Sequence, residues 1–247
     1  ALLGPGDALC AGTPHGLRLA VENGTEFLYH ANNGQALHKT TLDGDPVWTR
    51  AGPPLNVSRF LPNKPTWFAA PPGGDYLYMA DGYGSNFVHV YTRAGEYAGR
   101  SFGGRGAEPG RFQTCHSINF DPRSGRLVVT DRESHRHQYF DFDPRSPDKF
   151  DFASEFEVPE LRRPCNMRFD FGHGFAVIPA LEGPVGIVDR ADRLVSLLNV
   201  TALLGERGHQ HPHDATFLPS GDLVVATWNP GRLSYWRRLP EGDTLQV

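Results

Sequence analysis

Three histidines sit in the same slot of a repeating pattern. His15, His116 and His213 each follow a Pro or a Cys and open a stretch that reads as a strand, in Pro14-His15-Gly16-Leu17, Cys115-His116-Ser117-Ile118 and Pro212-His213-Asp214-Ala215. Imidazole suits zinc and its neighbours in the transition series. Three imidazoles with a fourth position left for water or substrate are the donor set of a catalytic zinc. Asp214, directly after His213, could bind a second, harder cation or hold an imidazole by a hydrogen bond. Two further side chains belong with this set. Asp81-Gly82-Tyr83 and Asp131-Arg132-Glu133 each place an acidic residue and then a turn at the end of an apolar run. A bound metal lowers the pKa of a hydroxyl, a phenolate favoured by a positive neighbour can accept a proton, and a guanidinium can clamp a carboxylate bidentately.

Each residue has a plainer alternative. A histidine at a strand start is commonly a hydrogen-bonded structural residue, Tyr83 could stack on a blade edge, and Arg132 could pair with Asp131 or Glu133. What favours a shared site is recurrence. The slot falls at positions 15, 66, 116, 166 and 213, and only Thr66 and Asn166 depart from histidine.

That recurrence also sets the fold class. A period near fifty residues, with short β-branched and aromatic runs separated by Gly, Asn and Pro turns, predicts several short antiparallel strands per repeat. Second strands are expected to end near His30, Asp81, Asp131, Pro179 and Trp228. Third strands are expected at 36–42, 88–92, 136–142, 184–189 and 232–237, and fourth strands at 47–50, 97–102, 150–158 and 194–199, with 244–247 left for the last. Four-stranded sheets of this period are the blades of a β-propeller, so the chain is expected to be all-β, one domain over 1–247, with five blades and six as the alternative. Inner strands line a propeller's channel, which turns a sequence period into a spatial cluster of slot residues.

Composition narrows the function classes. The chain has 247 residues, 28 Gly, 21 Pro and a net charge of −4, with 24 Lys and Arg scattered along it. Scattered basic residues argue against a nucleic-acid surface, and no run of 18 apolar residues suggests a membrane span. Sequons at Asn23, Asn56 and Asn199, with a first residue other than Met, lead us to expect a processed chain in a secreted or periplasmic setting. Cys10, Cys115 and Cys165 allow at most one internal disulfide, and Cys115 with Cys165 could bridge adjacent blades. His209, His211 and His213 alternate, so on an extended segment they would share a face, making His211 a candidate addition to the site. His135-Arg136-His137 is expected on the outward part of a hairpin, and Gly103-Gly104-Arg105-Gly106 at a crossing between blades rather than in a phosphate loop.

The order of these motifs, PHGL, DGY, an HS entry, DRE and PHD, resembles peptidyl-α-hydroxyglycine α-amidating lyase, an NHL-type propeller enzyme. The similarity runs from His15 onward, strongest over 65–140 and weak over 145–205. It implies zinc on His15, His116 and His213, active-site roles for Tyr83 and Arg132, and calcium at Asp214 and the Leu17 carbonyl. There are departures: the family has six blades, its first without a counterpart here, Ser85-Asn86-Phe87 replaces Asn-Ser-Arg, and His211 replaces Met.

The expectation is therefore a monomeric lyase that uses Zn2+ or another divalent transition metal to cleave a small α-hydroxy or carbinolamide-type substrate, small molecule or peptide. The alternatives are a metal-dependent hydratase, hydrolase or other lyase, and a non-catalytic propeller that binds protein or glycan.

Overall fold

The structure is a computed structural model that describes residues 12–34, 36–54, 56–170, 172, 174–205, 210–229 and 231–239. Cys10, His209 and the outer strand expected at 244–247 lie outside these residues. The described residues form five small antiparallel sheets, the blades of a β-propeller. The chain divides into two compact units, 1–155 and 156–247.

The first unit holds three four-stranded sheets. They are β1 (Pro14–Glu22), β2 (Thr25–Asn32), β3 (Ala36–Thr40) and β4 (Pro46–Ala51); then β5 (Trp67–Ala69), β6 (Tyr76–Ala80), β7 (Phe87–Thr92) and β8 (Tyr97–Gly103); then β9 (Cys115–Asp121), β10 (Arg126–Asp131), β11 (Arg136–Phe142) and β12 (Phe150–Glu157). Strands pair in sequence order within each sheet. The expected hairpins therefore form where turn residues interrupt the apolar runs.

Core packing explains why the second blade reads as a continuous apolar run. Leu77 and Met79 of β6 join Phe68 and Tyr91 against Tyr29, Ala31, Leu37 and Trp48 of the first blade. Tyr78 and Ala80 point the other way, joining Trp67, Val88 and Val90 against Phe112, Ile118, Leu127, Val129 and Phe140 of the third blade. A strand buried on both faces cannot afford polar residues at alternate positions. Each fully buried Leu or Met here contributes about 1.5–3 kcal/mol relative to exposure.

The second unit holds two sheets. One contains β13 (Arg168–Phe169), β14 (Ala176–Pro179), β15 (Val185–Val188) and β16 (Leu194–Leu198), and the other β17 (Gln210–Phe217), β18 (Leu223–Asn229) and β19 (Arg232–Trp236). Val177 and Val185 of the first sheet pack with Ala215, Leu223 and Val225 of the second, and Val200 of the short helix α1 (Val200–Leu204) seals the contact. No helix among the described residues is long and apolar enough to cross a membrane.

Candidate metal centre

His15 lies near the start of β1, against the entry to the second blade. Its Nδ1 is 2.8 Å from the Thr66 carbonyl oxygen. A carbonyl only accepts, so Nδ1 carries the proton and Nε2 presents a lone pair. Gly16 makes this approach possible, because a Cβ there would stand 2.3 Å from the same oxygen. Thr66 holds the repeat slot in its own blade, so the slot without histidine orients the one that has it. The sequence marked Thr66 only as an exception; its carbonyl has no side-chain signature.

Tyr83 is carried on the turn between β6 and β7. Gly82 presses this turn against the third blade, where a Cβ would lie 2.5 Å from the Cys115 carbonyl oxygen. Asp81, wholly buried, accepts from the main-chain N–H groups of Lys64 and Ser85 and from the Ser85 hydroxyl. The turn is thereby held from inside the blade, and the phenol projects from it.

His116 enters on β9, and Arg132 begins the 3₁₀ turn Arg132–Ser134 between β10 and β11. The Tyr83 hydroxyl brings both together with His15. It lies 2.9 Å from His116 Nε2 and 3.3 Å from His15 Nε2, and accepts from Arg132 Nη1 at 3.0 Å. The three rings meet edge to face, with centroids 4.9–5.4 Å apart. The Arg132 guanidinium carbon sits 5.2 Å from the Tyr83 ring centroid. Arg132 also donates from Nε to Glu133 Oε1 at 2.9 Å. The plainer pairing read from the sequence thus coexists with the contact to Tyr83.

His15 and His116 lie in the first unit, on β1 and β9, and His213 lies on β17 of the second. Three imidazoles could hold a metal, and their chemistry fits a transition metal rather than calcium, which takes oxygen ligands. The hydroxyl supplies a second observation of fit. One phenol proton serves a site where His15 Nε2 is already constrained to be a lone pair, so electron-rich atoms converge on the place an electrophile would occupy.

In the second unit Asp214 has taken a different partner from the one expected. Arg168 grips its carboxylate with Nε at 3.1 Å and Nη2 at 2.6 Å, while Asn166 Nδ2 donates at 2.7 Å. The positive charge that the second-cation expectation placed at Asp214 is supplied by a guanidinium. Leu17, the other member of that expectation, lies on β1 with its side chain half exposed. His211 does not share the alternation assumed for it. It has φ of 58°, and the register of β17 against β18 shifts between Pro212 and Asp214. This bulge adds a residue to the strand and breaks the period of two. The His211 ring instead lies 5.7 Å from that of Trp228.

The remaining expectations resolve locally. His135 is the left-handed residue closing the 132–135 turn. Arg136 and His137 are buried rather than outward: Arg136 Nε meets Asp131 Oδ2 at 3.2 Å, and His137 Nδ1 lies 3.2 Å from the Thr130 hydroxyl. Burial pulls the His137 pKa down to about 3. Cys115 and Cys165 are buried, and Cys115 is a free thiol, so the bridge expected between them does not form. Residues 103–106 form the crossing from β8 to β9, where Arg105 bridges in parallel to Phe112.

No family model matches the chain. Among solved structures, a protein of unknown function from Bacteroides caccae is similar at a TM-score of 0.58 and 14% identity, over 87% of this chain and 70% of that one. At that identity the likeness is one of fold.

Proposed function

We propose that the chain is a metal-dependent lyase resembling peptidyl-α-hydroxyglycine α-amidating lyase, with His15, His116 and His213 holding a zinc or another divalent transition metal. The observation that carries this reading is the convergence of His15, His116 and Arg132 on the Tyr83 hydroxyl. When bound, the metal would supply Lewis acidity, making a nearby hydroxyl easier to deprotonate.

The chain's own residues account for the rest. Cleaving a carbinolamide requires the hydroxyl proton to leave, the C–O bond to become a carbonyl, and the C–N electron pair to pass to nitrogen, which then gains a proton. The products are an amide and an aldehyde. Tyr83 oxygen, once its own proton has passed to solvent and it stands as phenolate, can take the hydroxyl proton and return it to the departing nitrogen. Arg132 Nη1 donates to that oxygen and favours its phenolate form before the proton is taken and after it is returned, and Gly82 holds the ring where both histidines reach it.

The test begins with elemental analysis after extensive dialysis, beside the triple variant His15→Ala/His116→Ala/His213→Ala. About one transition metal per chain, lost in the variant, is expected. Turnover of an α-hydroxyglycine peptide should then fall by about 10²–10⁴-fold in Tyr83→Phe with metal content unchanged. Turnover that survived metal loss would sink the mechanism. Absence of metal from the wild type after reconstitution would favour the non-catalytic binding module.

A second reading has an observation of its own. Arg132 commits Nε to Glu133 and Nη1 to Tyr83, so part of its donor fork serves the chain's own residues rather than a substrate carboxylate. This favours a hydratase, hydrolase or other lyase acting on an α-hydroxy compound without that carboxylate. Comparing turnover of α-hydroxyglycine peptides with that of their carboxyl-amidated counterparts separates the two.

A further inference from the structure

Asn32, Asp81 and Asp131 stand at the same place in the first three blades, where the second strand ends, and each is at most 1% exposed. Each accepts, through Oδ1, the main-chain N–H two residues before the slot of its own blade. Asn32 takes Thr13 N at 3.0 Å, Asp81 takes Lys64 N, and Asp131 takes Thr114 N at 2.9 Å together with Gln113 N at 2.8 Å. Each also holds the segment that follows its strand. Asn32 Oδ1 accepts from Gly34 N, Asp81 Oδ2 from Ser85 N, and Asp131 Oδ2 from Arg136 Nε.

In the third blade this contact reaches the site itself. The Thr114 carbonyl, on the residue whose N–H Asp131 fixes, accepts from His116 N at 2.7 Å and from Arg132 N at 2.9 Å. One carboxylate oxygen therefore anchors the peptide that sets His116 and Arg132 relative to each other. We propose that Asn32, Asp81 and Asp131 are positioning residues of the metal centre, acting through the entry peptide of each blade, and that Asp131 governs the geometry of His116 and Arg132. This rests on the metal-centre reading above.

The staple needs an acceptor oxygen and not a charge, since Asn32 makes it with an amide. Asp131→Asn therefore keeps the oxygen that receives Thr114 N and loses only the ion pair with Arg136, whereas Asp131→Ala loses both. A purely structural role would track stability, and a positioning role would track the oxygen.

The experiment titrates Co(II) into wild type, Asp131→Asn and Asp131→Ala, reading affinity and the intensity of the visible d–d bands, and measures amide exchange without metal. Asp131→Ala should bind Co(II) about 10–100-fold more weakly, as for other lost outer contacts of metal ligands. Its bands should be weaker, with exchange accelerated at His116 and Arg132. Asp131→Asn should unfold at lower temperature than wild type yet keep the wild-type spectrum and affinity within about threefold. Equal affinity in wild type and Asp131→Ala, or equal loss in Asn and Ala, would overturn the proposal. If wild type takes up no Co(II), the metal-centre reading falls, and unchanged exchange at His116 and Arg132 in Asp131→Ala would overturn the positioning role separately. Should Asp131→Ala fail to fold, Asn32→Ala carries the same test at Thr13 and His15 without taking a carboxylate partner from a buried charge.

Discussion

Turn 82–86 carries Tyr83 between two glycines, whereas turn 132–135 carries Arg132 on a 3₁₀ turn closed by the left-handed His135. The two occupy the same place in successive repeats, each following a buried aspartate. They differ in what that aspartate faces. Asp81 is surrounded by main-chain and hydroxyl donors, with His89 Nε2 at 3.9 Å, and burial lowers the His89 pKa so that its ring is neutral. Asp131 faces Arg136, whose guanidinium also meets Glu155 and the Glu108 and Arg111 carbonyls. The first turn is shaped by steric fit and the second by charge. A repeat thus supplies equal backbones on which unequal chemistry is mounted.

The largest expected effect tests that contrast directly. Asp131→Ala removes from the buried Arg136 guanidinium its buried carboxylate partner, leaving only the partly exposed Glu155, and should cost about 3–5 kcal/mol in urea unfolding. Asp81→Ala, which leaves only neutral donors unpaired, should cost about 1–3 kcal/mol. Equal losses would show that charge is not what separates the two turns.

Acid should act next, through the strand that follows the second turn. Burial alone holds the His137 pKa down to about 3, against an ordinary 6.5. Below pH 6.5 the unfolded chain takes up a proton that the folded ring refuses, so stability falls as pH drops towards 3. The loss at pH 5 is about 2 kcal/mol. His30 in the first blade, lowered to about 4 by burial and by His38, adds to the same slope. Urea midpoints of wild type and His137→Gln between pH 7 and 4.5 should show a shallower dependence in the variant.

Steric fit at the first turn is probed by Gly82→Ala. Its Cβ would meet the Cys115 carbonyl, at a cost of about 1–3 kcal/mol, and the displaced Tyr83 should take metal-dependent activity with it. The smallest effect belongs to Glu133→Ala. That carboxylate is a third exposed, so removing its pair with Arg132 should change the unfolding free energy by less than about 0.5 kcal/mol. A larger change would mean that Arg132 depends on Glu133 to reach Tyr83.

Much of the scaffold was legible before the fold was known. The strand expected at 136–142 matches β11 residue for residue, β10 ends at Asp131 as expected, and the other third and fourth strands among the described residues differ by a few residues at their ends. Runs of β-branched and aromatic residues between Gly and Asn turns are local signals. They survive because each blade repeats the same pairing. The failures share a cause as well. His211 was assigned to the face of His213 by alternation, which assumes an unbroken strand, and the bulge before Asp214 removes that premise. At Asp214 the sequence could not show the Arg168 guanidinium that meets the carboxylate, because it comes from 46 residues earlier.

By itself, then, the sequence determined the period, the strand order, and which residues fall in equivalent slots, because those depend on neighbours along the chain. The tertiary structure alone decided that His15 turns a lone pair toward Tyr83, that one hydroxyl meets two histidines and an arginine, and that Arg168 pairs with Asp214. Those contacts join residues 33–68 positions apart, and no spacing rule specifies which atoms of such residues will meet once the blades pack.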